Sequence, residues 1–220
     1  MKKNCNRLPG ILYLCTIIFG LCAQIIRSNI LVFGDDNIFE NINNSIFILR
    51  LGFFSDILMI LFYLLTAWTL FNLLKLINKN QSLLFFVCTI ISVSIMSINM
   101  INHIAIIEIN SADYFNNSTY NLKSLTQFFS NLHNYGYLIA QIFFGLWLLP
   151  LGIIIVKSKI MPKYFGIMLI AATFGHLSEI MITFLLPGND FIIYPGLIIA
   201  MAGEFSFCFR LLFKGINYET

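Results

Sequence analysis

Three carboxylates, Asp56, Glu179 and Glu204, lie inside long apolar runs of this 220-residue chain, together with the histidines His103 and His176. Carboxyl and imidazole groups exchange protons, bind cations and can ligate metals. An isolated ionised carboxylate in an apolar medium is costly, so such residues either pair with a neighbour or carry a function. Spacing sorts them. His176 and Glu179 are i, i+3 neighbours on one helical face, with Thr183 one turn beyond. Ser92, Asn99 and His103 fall within roughly 40° of one another at about 100° per residue, which makes them one stripe. His133, Tyr137 and Gln141 repeat at i, i+4 and i+8.

The elements that must position these groups are helices suited to oil. The chain is 59% hydrophobic and 10% charged, against roughly 25% charged in soluble domains. Apolar runs at 8–26, 46–74, 83–107, 135–156, 164–186 and 191–213 reach the roughly 17–25 residues that cross a bilayer. The expected fold is an all-α membrane protein, one transmembrane domain over 1–220 built as a six-transmembrane-helix bundle. The basic start at Lys2, Lys3 and Arg7 resembles a signal peptide. Leu21 at the −3 position spoils cleavage near Ala23, so an uncleaved first helix is the better reading.

Between the runs come a polar connection at Arg27–Ser45, a basic turn at Lys75–Ser82, and a polar stretch at Glu108–Asn131 with an amphipathic turn at Leu122–Phe129. A second basic turn carries Lys157, Lys159, Pro162 and Lys163. When the connections alternate between two sides, one side takes all of the 13 lysines and arginines except Arg27, Arg50 and Lys123. The opposite side takes Asp35, Asp36, Glu40, Glu108, Asp113 and Asp190. That bias places both termini in the cytoplasm. The net charge of +3 is therefore a topology signal, and no basic face with interleaved aromatics points to nucleic acid. Cys5, Cys15, Cys22, Cys88 and Cys208 form no CxxC pair and imply neither a disulfide framework nor a metal site. Sequons at Asn43, Asn80, Asn116 and Asn117 matter only in a eukaryotic secretory pathway. An Ile-, Asn-, Phe- and Lys-rich composition suits an AT-rich bacterial genome, and the expected location is the bacterial plasma membrane.

Within those helices, Asp56, Asn99, His103, Gln141, His176, Glu179 and Glu204 are expected to form a polar cluster from the midplane to the outer face. The competing account is structural. Asn, Gln and Ser pin membrane helices through hydrogen bonds worth about 0.6–2 kcal/mol, which suits Asn99, Asn102 and Gln141. The acids can serve as buried partners of His176 or Arg50. His176-x-x-Glu179 with His103 or Asp56 is a thin metal pattern, with no HExxH beside it, so no metal ligand and no cofactor is assigned. His133, at a boundary, reads as solvated. Pro150 is the residue able to bend the fourth helix. Gly196, Ala200 and Gly203 give the last helix a small-residue face for close packing. Nucleophile elbow, P-loop and dinucleotide fingerprint are all missing, so no catalytic residue is named.

Short motifs cluster around the fourth and fifth helices: His133-Asn134-Tyr135-Gly136-Tyr137, Phe143–Gly145, Leu151–Ser158 read as LG-x-x-x-x-KS, and Pro162 to Gly166. Gly203-Glu204 and Lys214-Gly215 follow near the end, and Asp56 precedes Tyr63-Leu64-Leu65. From about Arg7 to Gly215 the chain resembles the bacterial domain of unknown function 4386 family. That resemblance implies a six-helix inner-membrane protein and brings no activity. The family's tyrosine-and-acid segment is here His176-x-x-Glu179, so no role transfers to it. Three functions stay open: a non-catalytic accessory or sensory protein meeting a membrane partner, a transporter for a small cation, proton or polar solute, and a metal-dependent intramembrane hydrolase using His176, Glu179 and Asp56. The topology has a direct test. Reporter tags fused to the two ends should be labelled from one face of the membrane, and labelling from opposite faces would remove the six-pass reading.

Overall fold

The computed structural model describes residues 4–31, 38–111, 121–158, 160–186 and 188–218. Lys2, Lys3, Asp35, Asp36, Asp113, Asn116, Asn117 and Lys159 lie outside the described residues. The described chain runs β1 (Asn4–Asn6), α1 (Leu8–Ile30), α2 (Ile38–Leu74), α3 (Lys79–Ser111), α4 (Leu122–Leu146), α5 (Leu148–Lys157), α6 (Lys163–Leu185), a 3₁₀ turn (Asp190–Ile192), α7 (Ile193–Lys214) and β2 (Ile216–Tyr218). Six helical stretches among them are long and apolar enough to cross a membrane, with α4 and α5 counting as one stretch, Leu122–Lys157. Large apolar side chains such as Ile25, Phe47, Ile98, Phe174 and Ile198 face outward from them. A soluble surface would not carry so many, and a lipid-facing one would.

The helices outrun the apolar runs that announce them. α1 continues to Ile30 and makes Arg27 helical, where the sequence suggests a polar connection. α2 begins at Ile38 and breaks at Ser45 (φ −130°, ψ 21°), just before the expected start. Asn43, Asn44 and Ser45 offer the backbone side-chain hydrogen bonds that compete with the helical ladder. The expected turn at Leu122–Phe129 is the first part of α4. The ladder between α4 and α5 is interrupted at Trp147, whose backbone stays helical (φ −66°, ψ −26°). Pro150 explains the break, because its nitrogen has no hydrogen for the Leu146 carbonyl.

The described residues divide into two compact units. The first comprises Met1–Cys15, Phe62–Val93 and Leu138–Thr220. Its core is aromatic, with Trp147 buried among Tyr13, Tyr63 and Phe85 at ring-centroid distances of 5.7, 5.1 and 6.3 Å. Glycines let its helices touch. A Cβ on Gly152 would lie 2.7 Å from the Gly166 carbonyl oxygen, Gly175 is packed against Gly196, and Gly203 against Met168 and Ala172. The expected small-residue face of the last helix is therefore a packing face. In the same unit β1 pairs antiparallel with β2, Cys5 opposite Asn217, which sets the two ends of the described chain side by side. Gly215 ends α7 with φ +59°, a conformation only glycine adopts freely. The second unit, Thr16–Leu61 and Ser94–Tyr137, has an aliphatic core of Ile30, Leu31, Ile38, Ile42, Leu49, Ile106 and Ile107.

Gly152→Val should cost about 1–3 kcal/mol by overpacking and lower the melting temperature in detergent. Gly20→Ala, which meets only the Met59 side chain at 3.3 Å, is the mild comparison. Equal melting temperatures for Gly152→Val and wild type would defeat the close-packing account.

Candidate functional site

In the first unit, four helices hand five polar side chains to one another. Tyr13 on α1 donates its hydroxyl to Glu204 Oε2 on α7 at 2.6 Å. Glu204 Oε1 lies 2.6 Å from His176 Nε2 on α6. Gln141 Nε2 on α4 stands 3.3 Å from His176 Nδ1 and donates to Glu179 Oε2. One proton arrangement satisfies all of these contacts. Both amide hydrogens of Gln141 are donated, one to Glu179 and one to Nδ1, so the imidazole carries its hydrogen on Nε2 and aims it at Glu204. Local sequence makes this possible: a Cβ on Gly145 would lie 2.8 Å from the His176 Cβ, so glycine one turn after Gln141 lets α4 approach α6. Tyr13 is buried, whereas the side chains of His176 and Glu204 keep 15% and 24% exposure. Neither member of the pair is fully enclosed by protein.

The second unit holds a separate set. Arg27 on α1 donates from Nη1 to Asp56 Oδ2 on α2, and both side chains are buried. Its other nitrogen, Nη2, reaches Gln24 Oε1 at 3.0 Å, and the guanidinium carbon sits 5.3 Å from the Tyr137 ring centroid, within cation–π range. His103 on α3 lies with Nε2 3.2 Å from the Leu49 carbonyl and Nδ1 3.9 Å from Asp56 Oδ2. His133 on α4 meets His103 edge to face, with centroids 5.4 Å apart. Asn99 donates to the His133 carbonyl oxygen at 2.9 Å and accepts from Asn102 at 3.0 Å. Gly136 packs on the Asn99 amide, where any Cβ would collide. The His133-x-x-Gly136 spacing therefore docks α4 on α3.

The seven expected residues fall into both sets. Gln141, His176, Glu179 and Glu204 join in the first unit, and Asp56, Asn99 and His103 belong to the second. Asn99 pins helices, as the structural account of the asparagines anticipates. Two expectations need correction. Arg50 is exposed and Asp56 pairs with Arg27 instead. His133 is 1% exposed rather than solvated, because α4 starts at Leu122, well before its apolar run, and carries that position into packed structure. Tyr13 was hidden among apolar neighbours. Its only sequence signal is a hydroxyl that must find a partner when buried.

Six helices able to cross a bilayer, with ionisable groups buried among their side chains, define the class: an all-helical protein with the spans of a multi-pass membrane protein. The chain belongs to the family described as domain of unknown function DUF4386, whose model matches residues 8–215. A relative from Archaeoglobus fulgidus, described as an uncharacterized protein, is 30% identical over 158 residues, covering 72% of this chain and 80% of its own. No solved structure matches.

The ion pair gives a stability prediction. Arg27→Leu strands a buried carboxylate and should cost about 3–5 kcal/mol, whereas the double change Arg27→Leu with Asp56→Leu should recover much of that loss. Chemical unfolding in detergent measures both, and a double variant no more stable than the single one would contradict the pairing account.

Proposed function

We propose that this is a non-catalytic multi-pass protein of a prokaryotic plasma membrane that takes up and releases protons at the His176–Glu204 pair. The reading rests on one observation, the unbroken sequence of contacts Tyr13–Glu204–His176–Gln141–Glu179. Three of its five members are carboxyl or imidazole groups that exchange protons, and membrane-embedded groups of this kind mark proton pathways in pumps and transporters. The chemistry is simple. An arriving proton adds to the Glu204 carboxylate and later leaves it, while the Nε2–H of His176 and the Tyr13 hydroxyl hold the two carboxylate oxygens in place. Gln141 does not pass the proton; its amide fixes the imidazole and separates it from Glu179. A small cation reaching the two carboxylates would displace a proton, which links this reading to cation exchange. Cytoplasmic termini are part of the proposal, supported by the concentration of lysine and arginine on one set of connections and by the pairing of β1 with β2.

Purified full-length protein in proteoliposomes carrying a pH-sensitive dye should admit protons under an imposed potential. Glu204→Gln should slow that flux at least tenfold, and His176→Gln similarly. Flux in wild type equal to that of empty vesicles, or unchanged in well-folded Glu204→Gln, would refute the proposal.

A further inference from the structure

We infer that Asp56, His103 and His133 of the second unit form a binding site for a transition-metal dication of the zinc type. One ligand atom from each lies within 4.8 Å of the other two. All three residues are buried, at 0%, 0% and 1% exposure. Asp56 Oδ1, His103 Nδ1 and both ring nitrogens of His133 have no hydrogen-bond partner among the described residues. Buried polar atoms are nearly always satisfied, so unpartnered lone pairs on three neighbouring side chains, one each from α2, α3 and α4, point to a shared electrophile. The surroundings orient them for it. With Nε2–H of His103 donated to the Leu49 carbonyl, the lone pair sits on Nδ1, the arrangement by which metal-binding imidazoles are held. Arg27 occupies Asp56 Oδ2 and leaves Oδ1 open. Asn99, on the His133 carbonyl, fixes the backbone that carries the third ligand.

Donor chemistry selects the ion. Calcium and magnesium want oxygen ligands, whereas two imidazoles and one carboxylate suit zinc or iron(II). Donors on a tetrahedral zinc at about 2.1 Å stand roughly 3.4 Å apart. A separation of 4.8 Å therefore closes by about 1.4 Å on binding, a side-chain adjustment. Three protein ligands leave a fourth position for water or a solute.

Full-length protein in detergent, stripped with chelator and titrated with zinc(II), should bind one ion per chain. His133→Gln and Asp56→Asn should each weaken binding at least tenfold, while Glu108→Gln, an exposed acid of the same unit, should bind as wild type does. X-ray absorption of the zinc-loaded wild type should show two imidazole nitrogens, a result that holds even if a variant misfolds. No saturable zinc binding by wild type, a first shell without imidazole, or unchanged affinity in folded His133→Gln would each overturn the site and leave water as the partner of these atoms.

Discussion

A charge taken out of water must find its opposite inside the protein. In the second unit that demand is met by Arg27 and Asp56, both buried, with Gln24 and Tyr137 completing the surroundings of the guanidinium. Removing an ion from water costs several kcal/mol, and the pair recovers this only when its geometry is good and further hydrogen bonds help. The orientation of Asp56 follows from this contact, which occupies Oδ2 and leaves Oδ1 without a partner among the described residues. In the first unit Glu204 relies on hydrogen bonds instead, accepting from Tyr13 on one oxygen and from His176 on the other.

Polar contacts of this kind need helices that come close. Lipid offers no hydrophobic gain for bringing two apolar helices together, so contact relies on small residues and hydrogen bonds. Gly136 lets Asn99 reach the His133 carbonyl, and Gly145 brings α4 to His176. Gly152 with Gly166, and Gly175 with Gly196, bring backbones together directly. Glycines that read as motif letters in the sequence are thus the positions where a side chain would hold the polar groups apart.

Six apolar stretches and their order were legible because hydrocarbon imposes a length and a composition that survive in one dimension. Helix ends were less so. α1 and α4 extend into polar residues, and a hydropathy ruler stops where the oil stops, not where the backbone ladder stops. Arg27 and His133 depart from expectation for that reason, since each sits just outside an apolar run, one after it and one before it, yet inside a packed helix. The acids announced themselves, because a carboxylate among isoleucines has few explanations. Their partners did not, since pairing depends on which helices become neighbours. Tyr13 and Glu204, at opposite ends of the chain, illustrate how little local spacing says about that.

The partner separations also order biogenesis. Arg27 and Asp56 are 29 residues apart, so α1 and α2 can enter the membrane as a hairpin with opposite charges already matched. Tyr13 waits for Glu204, 191 residues later, and Cys208 reaches back to the Gly10 carbonyl across a similar distance. Tyr13 can meet Trp147 once the junction of α4 and α5 is made, but its hydroxyl lacks this carboxylate partner until α7 is translated. Only then can β1 and β2 clasp, so α7 completes the seat of α1.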